Sequence, residues 1–148
     1  AVAAAALAPS PSARPQPQTV LSTPLTDGSL SVDWVVDARK LDGSDQQVVS
    51  PALWFRPPSR GPQLRFKLVL NPKRVVNGRR VSCFKKALGR GYVTLKCEGD
   101  CDGELPFASL ETRVQMSIGS CQFRGLCHDF VKRAVCGLPK ENEEWDFR

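Results

Sequence analysis

The residues of this chain best suited to covalent or metal chemistry are Cys83, Cys97, Cys101, Cys121, Cys127 and Cys136, together with a single histidine, His128. Cys97-x3-Cys101 and Cys127-His128 invite a zinc reading. A structural zinc, however, takes four sulfur or nitrogen donors in a tetrahedron, commonly from close cysteine pairs. Only one pair here approaches that spacing, and its loop is acidic, so no metal ligand is expected. In an oxidising compartment the six cysteines would form two or three disulfides, and the sequence does not choose among the pairings. As free buried thiols they would pack like small apolar groups, which suits a reducing stroma. Cys127 and His128 do not make a dyad, because adjacent side chains of an extended chain point to opposite faces. His128-Asp129-Phe130 reads instead as a turn that packs Phe130. With no glycine-rich phosphate loop, HExxH or GxSxG in the sequence, neither a catalytic residue nor a cofactor is expected, and the chain reads as a binding protein.

Charge carries the stronger signal. Between Gln46 and Cys97 stand Arg56, Arg60, Arg65, Lys67, Lys73, Arg74, Arg79, Arg80, Lys85, Lys86, Arg90 and Lys96, with no Asp or Glu among them. The acids flank this stretch, from Asp27 to Asp45 and from Glu98 to Asp146. A formal net charge of +6 is modest, but its segregation attracts anionic partners and speeds encounter with them. An acidic protein, an anionic lipid surface or nucleic acid would each suit. The alternative is that the acidic loops fold back and neutralise the stretch.

The elements that must position these cations read as strands. Leu30, Val32, Trp34 and Val36 alternate with more polar residues, as do Leu64, Phe66, Leu68 and Leu70 with Arg65, Lys67 and Val69. That two-residue period marks half-buried strands. A short extended piece is expected at Leu53-Trp54-Phe55, halted by Pro57-Pro58 and Gly61-Pro62. After an Asn77-Gly78 turn, Val81 to Ala87 and Tyr92 to Cys97 are expected to form a hairpin around Gly89-Arg90-Gly91. One register sets Cys83 opposite Cys97; the preferred one is slipped by a residue and buries Phe84 with Leu95. Val114, Met116 and Ile118 mark another strand. Cys121 to Pro139 is expected to be irregular, with a helical turn or two over Asp129 to Val135, before a last strand at Trp145 to Arg148. Trp34, Trp54 and Trp145 sit amid apolar neighbours and are read as core anchors. Short strands, turn signals and no βαβ alternation predict an all-β, antiparallel β-sandwich of about seven or eight strands.

Residues 1–26 differ in kind from residues 27–148, which are expected to be the folded domain. They are rich in Ala, Pro and Ser, with one Arg and no acid, too poor in buriable surface to fold alone. A non-globular, extended tail is expected. The missing leading Met suggests processing, and Arg-bearing, Ser-rich, acid-free composition is shared with organelle transit segments, so a plastid is expected, with a mitochondrion as the alternative; composition alone equally describes an ordinary disordered tail. The apolar run Ala1 to Ala8 is far shorter than the ~20 residues that span a bilayer.

Taken together, Trp34, Ser50-Pro51 before an aromatic, Phe66-Lys67-Leu68-Val69-Leu70-Asn71-Pro72, Gly89-Arg90-Gly91, the strand Val114 to Gly119, His128-Asp129-Phe130 and Trp145-Asp146-Phe147 form a pattern. Residues 30–147 thereby resemble the MATH, or TRAF C-terminal, sandwich, and more closely a divergent group of such domains associated with photosynthetic algae. The resemblance implies a non-catalytic module that binds extended peptides along a sheet edge or serves as a scaffold. Arg113, Gln115 and Ser117 correspond loosely to the peptide-binding edge. The segment Cys121 to Cys136 departs from the family, and no coiled coil is present, so trimerisation and receptor-tail binding do not carry over.

The resulting expectation is a structural subunit that docks on acidic protein surfaces of a multi-subunit complex. Arg65, Lys67, Lys73, Arg74, Arg79, Arg80, Lys85, Lys86 and Arg90 would form its basic face, and the tail would strap onto neighbours. An accessory position in a plastid photosystem or light-harvesting complex, peripheral to the thylakoid, follows from the resemblance. The rival is an organellar, ribosome-linked RNA-associated protein. A small-molecule substrate is not expected.

Overall fold

The computed structural model describes residues 16–58, 61–75 and 82–148 in full, and residues 2–5 through their backbone. Eleven strands are present among them: β1 Val2–Ala5, β2 Val20–Pro24, β3 Leu30–Trp34, β4 Val48–Val49, β5 Leu53–Phe55, β6 Leu64–Pro72, β7 Arg90–Cys97, β8 Glu111–Met116, β9 Arg124–Asp129, β10 Val135–Gly137 and β11 Trp145–Asp146. They make two sheets. One has the order β2-β3-β1-β8-β9; in the other β10-β7-β6-β4 form the main path, with β5 on β6 and β11 on β7. Every described pairing is antiparallel except those of β1, which runs parallel to β3 and β8. The expected all-β sandwich is the observed architecture, and two stretches of residues 1–26 join its first sheet as β1 and β2.

The long strands follow their apolar alternation. In β6, Leu64, Phe66, Leu68 and Leu70 are buried while Arg65, Lys67 and Val69 stand on the other face. Leu30, Val32, Val114 and Met116 supply the first sheet's contribution to one shared apolar core. Phe66 stacks edge-on against Phe130 at 5.2 Å and Phe55 at 6.5 Å, so aromatic geometry adds to plain area burial. Ser50 carries the sheet past Pro51: its backbone N–H donates to Leu68 O at 2.9 Å, and its Oγ accepts from Leu68 N–H at 2.9 Å. His128-Asp129-Phe130 is the expected packing corner. The Asp129 carboxylate accepts the N–H groups of Leu110 and Val131, and Phe130 is buried below it.

Two expectations fail here for a common reason. Cys83 to Gly89 is not a strand but a series of tight turns, with Ala87 N–H on Cys83 O and Gly89 N–H on Phe84 O. Neither hairpin register occurs. Leu95 pairs with Leu68 and Cys136, and Cys97 with Phe66. The nine-residue β6 offers β7 a longer apolar ladder than the short run after Ser82 could, while Phe84 reaches the core from its turn, anchored by Phe84 N–H on Asp45 O. The Asn77-Gly78 turn and Val81 lie outside the described residues. The second failure is the irregularity expected from Cys121 to Pro139: β9 and β10 fill part of it, edge strands whose partners β8 and β7 supply the order that their own alternation lacks. Between them the expected helical turn does form, with the N–H groups of Lys132 and Arg133 both on Asp129 O.

Candidate interaction face

The outer face of the second sheet is built by register. Trp54 stands opposite Arg65. In the next row Lys67, Lys96 and Val135 lie side by side across β6, β7 and β10. The row after that runs Val49, Val69, Thr94 and Gly137. Beyond it Asn71 and Tyr92 pair, with Asn71 Nδ2 donating to Thr94 Oγ1 at 3.2 Å and Gln47 Nε2 donating to Asn71 Oδ1 at 3.0 Å. Val49, Trp54 and Val135 are each more than two-fifths exposed. Trp54 and Val49 stand on the strands at one side of β6, and Val135 on β10 at the far side of β7, so exposed apolar residues flank the cations of β6 and β7 at both edges of this face.

Trp54 is thus a correction: it is not a core anchor, unlike the buried Trp34 and Trp145. In the three-residue β5 the flanking Leu53 and Phe55 take the inner face, which leaves the middle residue outside. Trp145 is held differently, with the Arg124 guanidinium 3.6 Å from its ring centroid and Arg124 Nη1 donating to the carbonyls of Asn142 and Glu144.

Two carboxylates from the same chain fold back onto the cations. Glu98 lies 3.7 Å from Arg65 and 3.4 Å from Lys67. Glu144 lies 2.7 Å from Lys73 and 2.8 Å from Arg90. The hydrogen bond from Lys73 is the chief reason that the Glu144 carboxyl is held below its ordinary range, with Arg90 adding to it. Each carboxylate faces two cations, so each cluster keeps one surplus positive charge. Exposed pairs of this kind are screened by solvent and contribute little to stability. Arg56, Arg74, Lys85 and Lys96 are exposed and make no ion pair among the described residues. The face is partly, not fully, neutralised.

The remaining anticipated residues scatter. Lys85 and Lys86 are exposed on the turns after Cys83 and belong to no strand row of that sheet. Arg60, Arg79 and Arg80 lie outside the described residues. Arg113 and Gln115 are on β8 in the other sheet, opposite Cys127 and Gly125. Ser117 is buried, its Oγ donating to Cys121 O at 2.7 Å. Nor is β8 an edge, since β1 and β9 flank it on its two sides. The sequence alone does not assign Val49, Lys96 or Val135 to the face, nor its two most consequential members, Trp54 and the acid Glu98. The strand period flanking Trp54 could have revealed that residue; nothing local signals Glu98.

All six cysteines carry free thiols. Cys97 and Cys136 face the core, and burial pushes the Cys136 thiol up to about 11 and the Cys97 thiol upward too. Cys97 is buried and Cys101 exposed, and the donor cluster that includes Cys101 does not include Cys97. Donor atoms of Asp100, Cys101 and Asp102 lie within 4.8 Å of one another. The Asp100 carboxylate there is already accepting the N–H groups of Asp102 and Glu104, which makes a self-satisfied acidic turn. A scan against protein-family models and searches of curated proteins and of solved structures find no match for this chain.

Proposed function

We propose that this protein is a non-catalytic interaction module that docks an anionic protein surface on the outer face of its second sheet. The observation that carries this reading is that Arg65, Lys67 and Lys96 share one outer face on which Glu98 meets only the first two, flanked by exposed Trp54 and Val49 on one side and by exposed Val135 on the other. Trp and Arg are the residue types that anchor protein interfaces, and desolvated apolar surface supplies the affinity there. The surplus cations steer encounter. The setting, an accessory subunit of a plastid photosystem or light-harvesting complex with a MATH-like sandwich, rests on the resemblance and on the composition of residues 1–26.

A second reading has one specific support. Single-strand RNA binders interleave cations with exposed aromatics on which bases stack, and Trp54 beside Arg65 is such an aromatic. Titration of the protein with poly-glutamate and with poly-uridine, followed by Trp fluorescence and ion strength, separates the two. Tight poly-glutamate binding with weak poly-uridine binding supports the protein partner; the reverse, with a steep salt slope, supports RNA. Co-purification with chlorophyll-protein bands or with ribosomal particles then distinguishes the two settings.

A further inference from the structure

The first sheet has a different kind of vacancy-filling built into it. Its strands β3 and β8 do not pair with each other; they are joined only through β1. Val2 stands between Leu30 and Val114, Ala3 between Ser31 and Gln115, and Ala4 between Val32 and Met116. Without β1 the sheet would divide into β2–β3 and β8–β9, with open edges along Leu30 to Asp33 and Val114 to Met116. Those edges run beside the buried side chains of Leu30, Val32, Val114 and Met116. Backbone N–H and C=O groups left open beside a core demand partners, and an open edge is a template for another strand.

We propose that the gap between β3 and β8 is a strand-accepting site that takes the Val2–Ala5 segment of a second copy of this chain in place of its own. Three observations favour that occupant. First, β1 is the strand whose described pairings are both parallel, so no tight hairpin ties it to either neighbour. Second, β1 ends with Ala5 beside Asp33, and β2 begins with Val20 beside Trp34. The two ends therefore lie two strands apart, about 10 Å, while residues 6–19 between them could reach roughly 45 Å when extended. That connection is several-fold longer than its own fold requires, and lengthening a loop changes its closure cost little. Third, Ala3 to Ala6 is a run of one residue type, so the register of the inserted strand is weakly specified and a donated copy fits as well as the native one. Reciprocal exchange closes a two-fold dimer; one-way exchange extends into a chain of molecules. The inference is independent of the basic face, which lies on the other sheet.

The test is refolding of the full chain from denaturant at low and at high protein concentration, with mass read by light scattering. Dilute refolding should give monomer and concentrated refolding a dimer, and Ala3→Pro, which removes a ladder N–H, should abolish the dimer. The dimer should protect the amides of Val114 to Met116 from hydrogen exchange as well as the monomer does, a readout on the unaltered chain that holds even if Ala3→Pro does not fold. Monomer at every concentration would overturn the proposal. So would a dimer whose Val114 to Met116 amides exchange freely, an Ala3→Pro chain that dimerises like the parent, or capture of an unrelated extended peptide in preference to a peptide of residues 1–8.

Discussion

Lys67 and Lys96 stand directly opposite each other on β6 and β7, two ammonium groups on one solvent-facing row. Like charges in that position destabilise a sheet. Glu98 relieves Lys67, at 3.4 Å, but Lys96 is left exposed with no ion pair among the described residues. Lys96→Thr should therefore stabilise the isolated protein by about 0.5 kcal/mol, measured by urea unfolding, and weaken poly-glutamate binding with a shallower salt slope. Loss of stability with binding unchanged would remove Lys96 from the face.

Trp54→Ala should destabilise the fold only moderately, by about 1–2 kcal/mol against the ~3–5 kcal/mol of a core Trp, because the residue is 41% exposed on the outer face. Binding of the docking partner should fall by about tenfold or more if the ring is an anchor. Isothermal titration against poly-glutamate, beside a thermal melt, reads both quantities. Equal affinity for the parent and variant chains would argue against an anchor at this position.

The thiols should divide by burial. Ellman's reagent at pH 8 should react promptly with Cys101, Cys121 and Cys127, more slowly with the half-buried Cys83, and with Cys97 and Cys136 only after denaturation. The raised thiol pKa of the last two keeps them protonated at that pH, and the thiolate is the nucleophile. Rapid modification of Cys136 in native protein would contradict its place in the core.

Acid should unfold the protein partly through Asp129. The N–H of Leu110 foremost, and then those of Val131 and the Ser109 hydroxyl, hold its carboxyl below the ordinary 3.8. A depressed folded pKa contributes stability above the unfolded value, which is lost as pH falls below about that value toward the folded one. Asp33 acts oppositely: burial raises its carboxyl, so ionisation there disfavours the fold as pH rises through the interval above 3.8. Asp129→Asn should flatten the acid limb of the melting-temperature profile, and Asp33→Asn should raise the melting temperature at pH 7. An unchanged acid limb in Asp129→Asn would exclude the first role.

Leu88 adopts a left-handed backbone, φ +54°, in a residue that is 65% exposed. An L residue is strained there, and this one has little burial to offset the cost. Leu88→Gly should stabilise by about 0.5 kcal/mol after the glycine entropy is deducted, as read from the denaturation midpoint. Gly91→Ala is the opposite case, because a Cβ there would meet the backbone carbonyl of Asn71. It should destabilise markedly in the same assay.

Periodicity located β3, β6 and β8, since a strand with one wet face writes its burial into every second residue, and the prolines and glycine after Phe55 bounded β5; together with the turn signals these gave the sandwich class. The same rule placed Arg65 and Lys67 outward. It did not reveal which strands pair: β7 chose β6 over the segment around Phe84 because the longer apolar ladder wins, a comparison made only when the whole chain is folded. The acids Glu98 and Glu144 are far in sequence from most of the cations they meet, so partial neutralisation was a tertiary outcome. So was β1, an alanine-rich stretch with no strand signal of its own, whose order comes from the two edges that it joins.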